Sequence, residues 1–146
     1  MVLRLMELID LRYQNGPCKP EGIELVEGFE DTEFACRCCG KYWIHPDVLR
    51  GLATFRRIIH RPVTITSAYR CPAHNRAVGG AKNSFHTMGR AVDLYVSKLT
   101  AADLAKLAET VEVFRNGGIG IYTPEQFIHV DDGPKRRWKR ISGVYC

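Results

Sequence analysis

Two short stretches of this chain carry side chains of the types and spacing that a metal site needs. The first is Ser84-Phe85-His86-Thr87-Met88-Gly89-Arg90-Ala91-Val92-Asp93, and the second is Phe127-Ile128-His129-Val130-Asp131. Together they offer two imidazoles and a carboxylate, a set that binds zinc through three protein ligands and keeps a fourth position open. Zinc held in this way lowers the pKa of a bound water to about 7, so hydroxide becomes available for hydrolysis without a strong base. In an extended segment residues of equal parity share a face. Asp93 therefore lines up with Ala91 and Tyr95, and His129 with Phe127 and Asp131. Two adjacent strands would present Asp93 and His129 to one point, with His86 arriving from a loop rim. Asp93 stands between Val92 and Leu94, and a buried carboxylate is costly unless it is paired. It needs a partner, either a metal or Arg90. His45, His60 and His74 lack such a setting and read as surface or hydrogen-bonded residues.

The elements that would position these groups can be read along the chain. A short helical start over Leu3 to Arg12 is separated from the rest by Gly16-Pro17 to Gly22. Val48, Leu49, Leu52, Phe55, Ile58 and Ile59 recur at helical spacing after Pro46, which suits a first helical position. Arg61-Pro62 stops that helix, and Val63 to Ser67 alternates as a strand. A long polar loop follows from Ala68 to Phe85, and loops of that length in a small domain are usually functional. Ala91 to Val96 reads as a strand. Thr100 caps a second helix whose apolar face runs through Leu104, Leu107, Ala108, Val111 and Phe114, ending at Gly117-Gly118. Ile119 to Tyr122 and Phe127 to Val130 form a hairpin around Thr123-Pro124-Glu125-Gln126. This order predicts an α+β fold, a small antiparallel sheet with helices packed on one face.

With 146 residues, 45% of them hydrophobic and 25% charged, the chain fits one domain over 1–146 with its core at about 34–138. A chain of this size buries roughly two-thirds of its unfolded surface. Lys and Arg outnumber Asp and Glu by 21 to 16, with excesses at Arg50 to Arg61 and Lys135 to Arg140. Such patches suit a polyanion, either nucleic acid or an anionic wall polymer, or are a solvated surface. No basic motif interleaved with aromatics and no recognition helix is visible, which argues against nucleic acid. No apolar run approaches the roughly 20 residues that span a bilayer, and Met1 to Asn15 lacks the pattern of a signal peptide. The expectation is a monomer without a membrane partner, and export by the ordinary route is not encoded in this stretch. The six cysteines stand at 18, 36, 38, 39, 71 and 146. Cys36-Arg37-Cys38-Cys39-Gly40 invites a structural zinc reading but lacks a second paired half. The alternatives are buried thiols or one or two disulfides, with Cys71 a candidate partner.

Ser67-Ala68-Tyr69-Arg70, Asn75 to Gly80, Ser84-x-His86-x-x-Gly89-x-Ala91-x-Asp93 and His129-Val130-Asp131 resemble the zinc D-Ala-D-Ala carboxypeptidase family. This is the fifteenth metallopeptidase family, and the likeness is greatest to its short phage and prophage murein peptidases. The resemblance covers about Phe34 to Trp138. It implies the core shared with the hedgehog signalling domain and with lysostaphin-type enzymes, with one zinc per chain held by His86, Asp93 and His129. Arg70 would bind substrate through its rigid fork. Ser84 and Asn75 would join it on the substrate side by bracing the loop or a ligand, since neither has an activating base. Several relatives carry an acid three residues before the last histidine, and here that position is Gln126, which cannot act as a base. Asp131 and Glu125 are the remaining catalytic candidates. Asp131 lies roughly 7 Å along the strand from His129 and is either the base or a brace of the ligand; Glu125 would need a bulge to reach. The resemblance implies a peptidase cutting next to D-amino acids in peptidoglycan stem peptides, as a carboxypeptidase or an endolysin-like endopeptidase. The competing reading is a zinc-stabilised wall-binding or interaction module, which Gln126 favours.

Overall fold

The structure is a computed structural model that describes residues 5–141, 144 and 145, with side chains over 7–141. Leu3 and Arg4 of the expected first helix, and Cys146, lie outside the described residues. Helix α1 is Leu5–Gln14, and a two-stranded hairpin of β1 (Glu24–Val26) and β2 (Phe29–Glu30) follows it. A 3-10 turn at Asp31–Phe34 leads to α2, Pro46–Ile59. Pro46 occupies the first turn of α2, and His60 ends it in the left-handed region at φ 53°. Val48, Leu49, Leu52 and Phe55 are buried on its inner face.

The main sheet has six strands in the order β3-β4-β6-β5-β7-β8. They are β3 (Thr64–Ser67), β4 (Ala91–Tyr95), β5 (Gly118–Tyr122), β6 (Phe127–Asp131), β7 (Arg136–Ile141) and β8 (Val144–Tyr145). The expected strands from β3 to β6 are all present. The sheet is mixed, however, and not wholly antiparallel, because β7 runs parallel to β5. The reason lies in strand order: β4 and β5 already flank β6 on both sides. The chain reverses after β6 and adds at the edge beyond β5, where that direction is parallel to β5.

The helix expected from Thr100 to Phe114 is two helices, α4 (Ala101–Ala108) and α5 (Glu112–Arg115). Thr100 and Asp103 cap α4 reciprocally, through bonds of 3.1 and 3.3 Å. The break spans residues 109–111, where the Thr110 hydroxyl bonds back to Leu107 O at 2.6 Å and so competes with the helical ladder. Both pieces then bury their apolar residues: Leu104 and Ala108 from α4, Val111 and Phe114 around α5. These pack with the even-numbered side chains of β4 and β6, Val92, Leu94, Ile128 and Val130, in one core. The odd-numbered positions of β4 and β6 are left for the opposite face.

The long loop from Ala68 to Phe85 is more ordered than its composition suggests. It contains α3, Pro72–Ala77, started by Cys71, and it leads into a 3-10 turn at Phe85–Met88. The five described cysteines, 18, 36, 38, 39 and 71, are free thiols, so of the two alternatives the sequence left open it is thiols, and not disulfides, that stand among them.

Candidate metal centre

The register of β4 against β6 sets Asp93 directly opposite His129. His86 comes from the 3-10 turn, and Ser84, which caps that turn, accepts the His86 amide N–H on Oγ at 3.2 Å. Gly89 closes that turn at φ 68°, and a side chain there would press on Trp43 O, 2.6 Å from an added Cβ. All three groups are buried. Asp93 Oδ1 lies 3.2 Å from His86 Nε2 and 3.1 Å from His129 Nδ1.

The outer partners fix the tautomers. His86 Nδ1 stands 2.7 Å from Ala68 O, a carbonyl that can only accept, so Nδ1 carries the proton and Nε2 offers a lone pair. His129 Nε2 stands 2.7 Å from Asp131 Oδ2, which leaves the Nδ1 lone pair facing Asp93. Two nitrogen lone pairs and a carboxylate oxygen thus converge within 4.8 Å of one another. Three acceptors aimed at one point repel unless a cation or proton lies between them, and this N,N,O set suits zinc. A metal and a proton compete here. Burial lowers the His129 pKa, but its bonds to Asp131 and Asp93 outweigh burial and the net shift is upward. Burial raises the Asp93 pKa, yet electrostatic attraction to the His86 ring and the hydrogen bonds to both histidines hold it well below the usual carboxylate range.

Asp131 is completely buried beside His129. Its Oδ1 accepts the amide N–H groups of Gly118 and Gly133, each at 2.9 Å. Its Oδ2 takes His129 Nε2 and, at 3.2 Å, Arg136 Nη2. Burial raises its pKa; the bond to His129 and the two amides outweigh that, so it is held ionised. Gly118 has no alternative here, because a Cβ would collide with the carboxylate. Both Asp131 oxygens are thus fully engaged, the arrangement of a brace for the His129 ring, one of the two readings that the sequence left open. Glu125, the other candidate carboxylate, is placed apart from it. It stays in the exposed turn and pairs with Arg140 at 3.0 Å, away from the cleft. Gln126, at φ 55°, turns outward: its Oε1 accepts Ala101 N at 2.7 Å and its Nε2 donates to Thr123 O at 2.8 Å.

A cleft of about 400 Å³ opens above the three converging groups. Arg70 and Ser84 line it, as the sequence suggests, together with Tyr122, Phe127, Arg136 and Trp138. Arg70 is held by Ser67 Oγ at 3.1 Å, Asn75 Oδ1 at 3.4 Å and Asp93 Oδ2 at 3.5 Å. Arg70, and not Arg90, is the cation beside Asp93; Arg90 pairs with Asp132 at 2.7 Å. Asn75 lies buried behind Arg70, bonded to Ala81 O at 2.8 Å, and does not line the cleft. Sequence reasoning missed Arg136 and Trp138, which read as part of a basic cluster. Their alternate spacing, Arg136-x-Trp138, was the available signal for one face of a strand. Gly120 lies between His129 and Trp138 in the sheet, and a Cβ there would strike the indole. The glycine lets Trp138 pack beside His129, ring centres 5.0 Å apart.

The family model described as Peptidase M15 matches residues 24–131. The chain belongs to that family. His86, Asp93, His129 and Asp131 fall inside the matched segment, and Arg136 and Trp138 fall beyond it. The probable peptidoglycan L,D-endopeptidase MepK of Haemophilus influenzae is 44% identical over 63 residues, 43% of this chain and 32% of that protein. The peptidoglycan L,D-endopeptidase MepK of Escherichia coli K12 is 36% identical over 95 residues, 62% of this chain and 48% of that protein. The match thus spans about half or less of these curated relatives. The solved structure of the Serratia marcescens L-Ala D-Glu endopeptidase ChiX aligns with a TM-score of 0.39 at 25% identity, over 47% of this chain and 61% of that one.

Proposed function

We propose that this chain is a zinc-dependent peptidase that cuts peptidoglycan stem peptides next to a D-amino acid. The observation that carries this reading is the convergence of His86 Nε2, Asp93 Oδ1 and His129 Nδ1 beneath a cleft lined by Arg70 and Arg136. Endopeptidase action is favoured over removal of a terminal D-Ala because the curated relatives are named as L,D-endopeptidases. A hedgehog-like core and an endolysin-like phage setting belong to the same proposal and rest on the sequence resemblance.

His86, Asp93 and His129 would hold the zinc, which when bound supplies Lewis acidity and a nucleophile at neutral pH. Asp131 fixes the His129 ring so that Nδ1 keeps its lone pair. Arg70 engages Asp93 Oδ2 and leaves Oδ1 turned towards the two imidazoles. Its guanidinium and that of Arg136 give the cleft two fixed cations, suited to the carboxylates and carbonyls of an acidic peptide. Trp138, Phe127 and Tyr122 supply an apolar wall against which a substrate side chain can exclude water.

The second reading, a zinc-stabilised binding module, has one observation in its favour. Among the described residues lining the cleft, Asp93 is the only carboxylate. Zymography of the zinc-loaded chain on purified murein separates the two. Clearing by the wild type, lost in His86→Ala and His129→Ala along with the metal, supports the peptidase. Murein binding without clearing transfers support to the module.

A further inference from the structure

Away from the His-Asp-His centre, four cysteines that the proposed reaction does not use gather at one place. Cys36, Cys38 and Cys39 occupy the turn between the Asp31–Phe34 3-10 turn and α2, and Cys71 starts α3. The sulfurs of Cys36, Cys39 and Cys71 lie within 4.8 Å of one another. Cys38 stands beside Cys39 in the same turn as an exposed free thiol. The missing second half of the sequence motif is thus supplied by tertiary structure, from a segment that follows β3.

The local backbone is folded around a sulfur. Cys36 and Cys39 have C-x-x-C spacing, and Gly40 follows at φ 75° with its N–H returning to Cys36 O at 2.9 Å. Cys36 Sγ accepts the N–H of Cys71 at 3.3 Å and that of Cys38 at 3.4 Å. Two amide donors on one sulfur stabilise a thiolate. Burial raises the Cys36 pKa, but the amides of Cys71, Cys39 and Cys38 and the Cys71 thiol bring it to about 7. A disulfide would use two of the four sulfurs and remove the charge that these amides serve. Soft thiolates at C-x₂-C spacing suit zinc held in a closed tetrahedron.

We infer that Cys36, Cys39 and Cys71, with Cys38 as the fourth thiolate, form a second zinc site whose role is structural. Each thiol gives its proton to solvent on binding. The ion would join the turn after the first 3-10 turn to the segment that presents Arg70, the neighbour of Cys71 in sequence. Arg37 already ties the same turn to β3, just before that segment, by donating to Thr66 O at 3.0 Å. The second site therefore braces the substrate side of the cleft without touching it.

The test is metal analysis and cobalt substitution of the full chain, purified under reductant. Wild type should hold two zinc ions, and the His86→Ala/His129→Ala variant should keep one. Cobalt loaded into that histidine variant should give thiolate-to-cobalt charge-transfer bands with intense tetrahedral d–d absorption. Cys36→Ser/Cys39→Ser should lose those bands. If wild type holds a single zinc that disappears in the histidine variant, and cobalt gives no charge-transfer band, the inference is wrong. A disulfide among these four cysteines in the unreduced, zinc-loaded protein would overturn it as well. The wild-type and histidine-variant spectra decide the matter even if the cysteine variant fails to fold. An inactive chain in zymography leaves these bands unchanged, so the two proposals fail separately.

Discussion

A carboxylate that accepts from two amides, an imidazole and a guanidinium has nothing left with which to take a proton from water, and Asp131 is in that position. Its parity with His129 was legible in the sequence, and so was the choice between base and brace. The partners that decide the choice were not, because Gly118, Gly133 and Arg136 arrive from β5, from a turn and from a strand that periodicity did not reveal. Asp131→Asn should lower zinc affinity at the His-Asp-His centre by about 10- to 100-fold, the usual cost of losing a group that orients a ligand. A chelator competition titration measures this. Unchanged affinity with a collapsed kcat would restore the base role. Arg70 gives the complementary prediction: Arg70→Ala should keep the zinc of the His-Asp-His centre while lowering kcat/KM on murein fragments. Arg70→Lys should recover only part of the loss, since an ammonium cannot serve Ser67, Asn75, Asp93 and substrate through one planar fork. Wild-type kinetics in Arg70→Ala would remove the residue from the site.

The elements that carry the metal ligands were readable because each has a strong local signal. Val92 and Leu94 alternate with Asp93, and the S-x-H-x-x-G-x-A-x-D spacing anchors the turn before β4. The elements that shape the cleft were less so. In β7 the first five of six residues are basic or aromatic and none is fully buried, so it has no apolar period to find. The α4–α5 break rests on one hydroxyl, too small a signal for periodicity to detect. Gln126 shows the same principle: its amide caps α4 and ties down the hairpin turn, a task visible only once the two elements meet. Gly120 lies opposite both His129 and Trp138 and gives a test at this scale. Gly120→Ala should displace the indole, shift tryptophan emission and raise KM with a smaller change in kcat, since the cleft wall moves while the ligands remain on β4 and β6. An unshifted emission spectrum would contradict this packing.

At the scale of the whole molecule, the centre draws on a turn, β4 and β6, so its ligands meet only when the sheet is assembled. The same holds for the ion pair of Glu109 with Arg137, which joins the end of α4 to β7. The hydrogen bond from Arg137 lowers the Glu109 pKa. A depressed folded-state pKa means that the contribution is present above the ordinary glutamate value, about 4.3, and fades as pH falls through the folded value. Wild type should therefore exceed Glu109→Gln in stability at pH 7 by at most about 1 kcal/mol, because the pair is half exposed. The gap should close under acid, as urea unfolding at a series of pH values would show. The position of β7 has a consequence of another kind, in time. It carries Arg136 and Trp138, yet among the described residues only the two-residue β8 lies beyond it, while β4 and β6 have full neighbours on both sides. Amide hydrogens on β7 should exchange with deuterium well before those of β4 and β6, because strands with fewer neighbours open at lower free energy. The metal ligands would then sit on the slow-exchanging centre of the sheet and the substrate wall on its fast-exchanging margin, so the cleft can breathe without the centre coming apart.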